Sequence, residues 1–193
     1  MKRGIVVTVA MAALMGVAVS SAKDEYELRD NSGSALESDP AASKTCRSGP
    51  LSKPQVGCAP APPPSTGNPY QDCVARINQL RRKCQCLPPL KRWKDGEACA
   101  NQHAKHDGQH GIHKGFNAKI CEPQGYAQNE CPAWPSAGQI VEGCLQRMWD
   151  EGPGKRFSKH GHYVNMSNPS FKRVACGFAK DSNGEVWSVH NFR

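Results

Sequence analysis

Long apolar stretches are scarce in this 193-residue sequence: there is one, residues 5–19. That excludes a polytopic membrane protein, which needs several spans of about 20 apolar residues each. Aromatic residues make up only 7% of the chain, and nowhere do stacking aromatics interleave with basic residues, so no nucleic-acid partner is expected. A Gly-rich phosphate loop is missing, as is a G-x-S-x-G nucleophile elbow, which removes the recognisable nucleotide-binding and α/β-hydrolase signatures. No internal repeat is present, and the length is close to that of one ordinary domain. What the chain does have is cysteine. Ten cysteines accompany 15 prolines and 18 glycines, a usage at odds with a compartment that keeps thiols reduced.

The apolar run belongs to a secretory signal pattern over residues 1–22. Lys2 and Arg3 form its positive start, and Ser20 and Ala22 are the small residues preceding a cut after Ala22. The alternative reading is an uncleaved anchor. Residues 23–68 contain seven prolines, four glycines and one aromatic, Tyr26, and read as a Pro-rich disordered linker with a polyproline stretch at 59–64. Cys46 and Cys58 are expected either to pair with each other or to pin this tail to the domain behind it. The tail carries five basic and six acidic residues, whereas residues 69–193 carry 18 and 11, a net +7. A basic exported domain suits an acidic polysaccharide or an anionic surface.

Within 69–193, Asn68-Pro69 predicts a helix start, since Asn accepts from first-turn amides and Pro suits the first helical position. Cys73, Ile77, Leu80 and Cys84 share one helical face. A second helix is predicted from Asp95 toward His106, with Gly108 and Gly111 arguing against its continuation. Residues 114–135 read as irregular, held by Cys121 and Cys131. Ser136 through Gln139 forms a capping-box pattern opening a third helix, with Ile140, Val141, Cys144, Leu145 and Met148 as its apolar stripe and Gly152-Pro153 as its end. Two apolar runs, 173–179 and 185–192, flank Asp181-Ser182-Asn183-Gly184 and predict a hairpin covered on both faces. Three helices and a covered antiparallel sheet make an α+β, disulfide-rich, three-layer α–β–α sandwich.

Several residues could carry chemistry. Glu151 projects from the apolar stripe at the helix end where the dipole disfavours an anion, so it needs a partner. His103, His106, His110 and His113 would share a stripe on an unbroken helix and could chelate zinc or copper. His160 and His162 alternate just before the hairpin, which would turn one of them inward. The cysteine spacings match no zinc ribbon or finger. All ten, Cys46, Cys58, Cys73, Cys84, Cys86, Cys99, Cys121, Cys131, Cys144 and Cys176, are therefore disulfide candidates.

In its last fifty residues the chain resembles a known family. Gly161-His162-Tyr163-Val164-Asn165-Met166, then residues 172–179, then Trp187-Ser188-Val189-His190-Asn191-Phe192 are similar to the CAP superfamily of cysteine-rich secretory, antigen 5 and pathogenesis-related proteins, also called the SCP domain. The resemblance spans roughly 69–193 and implies an α–β–α sandwich. It also implies a cleft lined by two His and two Glu: His113, with His110 and His106 competing for the position, Glu130, Glu151 and His162. Asn165, His160 and His110 would stand next to this cleft.

Two imidazoles and two carboxylates facing one cleft suit zinc or another divalent cation, or a general acid and base. The expected protein is thus secreted or extracellular (periplasmic in a bacterium) and not transmembrane once its signal is cleaved. It is expected to act as a binding module rather than an enzyme, with lipid, sterol or acidic polysaccharide as candidate ligands. The alternatives are a metal-dependent secreted hydrolase using the same cleft and a structural cell-surface protein.

Overall fold

The computed structural model describes Cys46 and residues 48–193. The segment 1–22, expected to be a secretory signal, and the first part of the tail lie outside the described residues. Helix α1, Pro69–Gln85, begins as its sequence dictates: the Asn68 side chain accepts from the amides of Tyr70 and Gln71. Its stripe of Cys73, Ile77, Leu80 and Cys84 is fully buried. A two-residue strand β1, Lys91–Arg92, leads into α2, Lys94–His110, and a short α3, Lys114–Ala118. Strand β2, Ala127–Trp134, is followed by α4, Ala137–Gln139, a π-helical turn at Ile140–Cys144 and α5, Leu145–Asp150. The hydroxyl of Ser136 accepts from the Gln139 amide at 3.2 Å, as a cap should. Helix α6, Phe157–Ser167, precedes the hairpin of β3, Arg173–Lys180, and β4, Val186–Phe192.

The strands form one sheet in the order β1-β3-β4-β2. β2, β4 and β3 run antiparallel, and β1 adds a short parallel pairing to β3, so the sheet is mixed where an antiparallel one was expected. Side chains alternate across β3. Val174 and Cys176 join α1, the π turn, α5 and α6 in the larger core. Ala175 faces α2, where Trp93, Ala100, Ala104 and Val189 complete a thin second layer. The small residues let α2 lie close to the sheet. A Cβ on Gly177 would stand 2.1 Å from the Ala100 carbonyl carbon, so only glycine fits there.

Three readings need correction. Residues 114–135 are not irregular, since they hold α3 and the eight-residue edge strand β2. Residues 157–167 are a fourth substantial helix, so His160 and His162 sit on helical rather than alternating positions. Helix α2 runs through Gly108 to His110 and stops at Gly111, whose φ of 99° a side chain rarely adopts.

All ten cysteines are paired: Cys46–Cys86, Cys58–Cys84, Cys73–Cys176, Cys99–Cys121 and Cys131–Cys144. Of the two arrangements open for Cys46 and Cys58, the second holds: both bind the end of α1. Residues 48–68 contain no helix or strand, but they are not a free linker. Leu51 and Gln55 donate to the carbonyls of Gln85 and Cys84, and Arg76 and Gln79 donate to those of Pro60 and Ala61 at 2.7 Å each. Among the described residues, no helix is long and apolar enough to cross a membrane.

Candidate functional site

Strand β2 organises the site through three consecutive buried polar residues, Gln128, Asn129 and Glu130. Strand alternation sends Gln128 and Glu130 to one side and Asn129 to the other. Gln128 and Glu130 reach the segment after α2. Glu130 Oε2 accepts from the His113 amide at 3.0 Å, and Gln128 Oε1 accepts from His113 Nδ1 at 2.7 Å. Asn129 reaches α6, donating to the His162 carbonyl at 3.0 Å and accepting from Asn165 Nδ2 at 2.9 Å. One strand therefore clasps both histidine-bearing segments.

His113 arrives there because the chain turns at Gly111 and then takes a left-handed conformation at His113 itself, φ 61°. Glu151, at the end of α5, has found the partners its position demanded. Its Oε1 accepts from His162 Nδ1 at 2.5 Å, and its Oε2 from the amides of His162 and Tyr163 at 3.0 and 3.4 Å. His113, Glu151, His162 and Asn165 together line a cleft of about 200 Å³. Two slightly larger hollows, about 280 and 270 Å³, lie against the tail and have no histidine in their walls.

The other candidate residues stand elsewhere. Glu130 does not line the cleft. Its side chain is 1% exposed, against 34% for His113, and it lies behind that histidine. Burial, and then its hydrogen bond to Asp107 and that residue's charge, push the Glu130 carboxyl up to about 9. His160 turns away and donates from Nδ1 to the carbonyls of Glu151 and Gly152 at 2.7 and 3.0 Å. His110 is exposed and lies against His106 with ring centres 4.3 Å apart and planes tilted by 40°, and His106 Nδ1 is 3.1 Å from Asp107 Oδ1. The four histidines from 103 to 113 thus do not converge, because α2 ends before the last of them.

Asp107, Gln128 and His190 were not singled out as site residues in the sequence, and His103 only as one of four histidines that could chelate a metal. One signal was available: Ala100, His103, Ala104 and Asp107 follow the helical i, i+3, i+4, i+7 spacing, and all four are buried. Among the described residues, two groups bring three His, Cys, Asp or Glu donor atoms within 4.8 Å of one another: Cys99–His103–Cys121 and Cys73–Cys176–His190. In both, the sulfurs are tied up in a disulfide and offer no thiolate. His113, Glu151 and His162 form neither of these groups but are more open than both, whereas Glu130 is buried.

Residues 74–192 match the model of the cysteine-rich secretory protein family. The chain belongs to that family, whose domain is the CAP domain. Among solved structures it is similar to Schistosoma mansoni venom allergen-like protein 4, at 12% identity and a TM-score of 0.42 over 65% of this chain and 90% of that one. It is also similar to Na-ASP-1, at 14% identity and a TM-score of 0.45 over 74% of this chain but only 42% of that one. No curated protein matches it in sequence.

Proposed function

We propose that this CAP-domain protein is exported and acts outside the cell as a binding module, its cleft taking a divalent cation on the imidazoles of His113 and His162. The observation that carries this reading is the engagement of both rings through Nδ1. His162 Nδ1 faces a Glu151 carboxylate oxygen and His113 Nδ1 faces the Gln128 carbonyl oxygen. Each Nδ1 therefore bears the proton, which leaves Nε2 as the nitrogen with a lone pair. An acceptor holding the far side of the ring is the arrangement that orients metal-binding imidazoles.

Two nitrogen donors in this cleft fit zinc or copper as an open site, with remaining positions left to solvent or ligand. On this reading Glu151 and Glu130 orient the histidines, and Glu130 is too deep to be a ligand itself. Glu151 is engaged through both oxygens, which favours binding over hydrolysis because a general base needs a free oxygen facing water. A cleft of about 200 Å³ lies below the roughly 300 Å³ at which small-molecule pockets begin. It favours a hydrated ion over a sterol or lipid. The signal-type segment at 1–22 and the complete pairing of the cysteines support export.

Zinc titration of the oxidised protein, followed by calorimetry and native mass spectrometry, tests this. One ion is expected per chain, with binding lost in His162→Ala, weakened at least about tenfold in His113→Ala and unchanged in His110→Ala. Equal binding by the His113→Ala/His162→Ala double variant would move the site elsewhere.

A further inference from the structure

A line of hydrogen bonds runs from the cleft into the interior. His113 Nδ1 donates to Gln128 Oε1 at 2.7 Å, and Gln128 Nε2 donates to His103 Nδ1 and to Asn191 Oδ1, both at 3.1 Å. His103 Nε2 lies 3.4 Å from Cys121 Sγ and 3.8 Å from Cys99 Sγ. His103 and Asn191 are fully buried, and Gln128 is 7% exposed. Water is not available to rescue a wrongly oriented group, so the polarity of this line is a matter of bookkeeping.

The polarity is set at the inner end. A disulfide sulfur has no proton, so its contact with His103 is a hydrogen bond only if Nε2 carries the N–H. Burial keeps the ring neutral by lowering its pKa, with the Asp107 charge opposing. Nδ1 is then an acceptor and must face N–H groups, which Gln128 Nε2 supplies at 3.1 Å and Asn191 Nδ2 at 3.4 Å. The amide has one donor end and one acceptor end, so its oxygen is turned outward to His113. His113 Nδ1 must therefore hold the proton, and His113 Nε2 the lone pair.

We propose that Gln128 is the positioning residue that fixes the tautomer of His113, with the direction imposed by His103 against the Cys99–Cys121 disulfide. Its consequence for cation binding rests on the reading above, but the tautomer itself does not. A free imidazole favours the opposite form, with the proton on Nε2, so the relay changes what the cleft presents from a donor to a ligand.

The test uses the oxidised, metal-free, nitrogen-15-labelled protein above neutral pH, with long-range proton–nitrogen correlation of the histidine rings. His113 is expected with a protonated Nδ1 and bare Nε2. Gln128→Leu should bring in the Nε2-protonated form while the amide spectrum stays dispersed. Gln128→Glu, which still offers an oxygen to His113, should restore the wild-type His113 form and move the His103 proton to Nδ1. Should the Leu variant fail to fold, the Glu variant decides alone through that opposite response of the two rings. In a zinc titration, Gln128→Leu is expected to bind about 10–100-fold more weakly, with Gln128→Glu near wild type. A protonated Nε2 on wild-type His113, no change in the Leu variant, or no change of His103 in the Glu variant would overturn the proposal. If the tautomers behave as stated and wild type takes up no zinc, the positioning role stands and the cation reading falls.

Discussion

Glu130 and Asp107 meet in the interior as two carboxyl groups that share one proton. Glu130 is 3% exposed and Asp107 fully buried. Glu130 Oε1 and Asp107 Oδ2 have no donor from elsewhere in the protein, and two buried carboxylates side by side cannot both be ionised. The proton resides on Glu130. Burial would raise Asp107 too, but hydrogen bonds from Glu130, the Gly115 amide and His106 outweigh it and hold that carboxyl below its usual range. The pair braces the turn that carries His113, since Glu130 takes the amide of His113 and Asp107 that of Gly115.

This gives the stability an alkaline limb. With the Glu130 carboxyl at about 9 in the folded protein against 4.5 in an unperturbed chain, the folded state keeps a proton that the unfolded state releases. The contribution is complete below about 4.5 and is lost as pH rises toward 9. Glu130→Gln, which carries an N–H where the proton sat, should flatten the melting temperature between neutral pH and about 9. Glu130→Ala should cost about 1–3 kcal/mol, because it leaves the His113 amide and Asp107 Oδ2 without partners. A wild-type melting curve independent of pH in that window would contradict the shared proton.

His190 gives an acid limb of opposite sign. It is fully buried beside the Cys73–Cys176 disulfide, its Nε2 is 3.1 Å from Ser188 Oγ, and burial lowers it to about 3 from 6.5, with the nearby His162 adding to the effect. Here the unfolded state binds the proton that the folded state refuses. The contribution is intact above 6.5 and is lost progressively toward 3, at up to about 1.4 kcal/mol per pH unit for one proton. His190→Gln should unfold less steeply with acid than wild type in denaturant titrations at stepped pH. The slope is the readout, since the substitution also changes packing.

Disulfide removal should rank by the chain each bridge closes. Cys73–Cys176 spans 103 residues and Cys131–Cys144 spans 13. The bridges inside the longer loop shorten it but leave it several times the other. On the chain-entropy account, bridging a loop of about 15 residues contributes about 3 kcal/mol and one of about 100 nearly 5. Chemical denaturation of the Cys→Ala pairs should therefore show the larger loss for Cys73/Cys176. The reverse order would mean that strain or packing dominates.

Gly177→Ala should destabilise by more than the ordinary overpacking range of about 1–3 kcal/mol. The new methyl would meet Ala100 backbone atoms at 2.1 and 2.4 Å, and backbone cannot rotate aside as a side chain does. Thermal melting against an exposed-glycine control, Gly184→Ala, separates this clash from the strain at a positive φ, since Gly184 has open space around it and a φ of 81°.

Sequence pattern exposes what is repetitive and hides what is paired at a distance. Helix α1 and the β3–β4 hairpin were readable because their apolar residues recur at the helical or strand spacing, bounded by Asn68-Pro69 and Asp181-Ser182-Asn183-Gly184. Strand β2 was not. Its buried run is Gln128-Asn129-Glu130, which looks like a solvated loop until partners 15 to 63 residues away are known. Helix α6 lacks an N-terminal side-chain cap and buries only Tyr163, Asn165 and Met166, so neither its start nor its face announced itself. Glu151 was conspicuous because a carboxylate stood where the helix dipole opposes it. Which histidine of the 103–113 segment reaches the cleft depends on a single backbone turn at Gly111 that no periodicity records.

The two bridges at the end of α1 also determine how the domain would take a mechanical load. Tension applied through the chain before Cys46 passes at once to Cys86 and, one loop further on, from Cys58 to Cys84. The segment between them cannot be peeled from the helix by breaking hydrogen bonds one at a time. A pull on the tail is transmitted through covalent bonds into a helix that Cys73–Cys176 fastens to the sheet. The His113–His162 cleft, clasped by the far edge strand β2, lies off that line of force, so a tethered domain could be dragged without distorting its site.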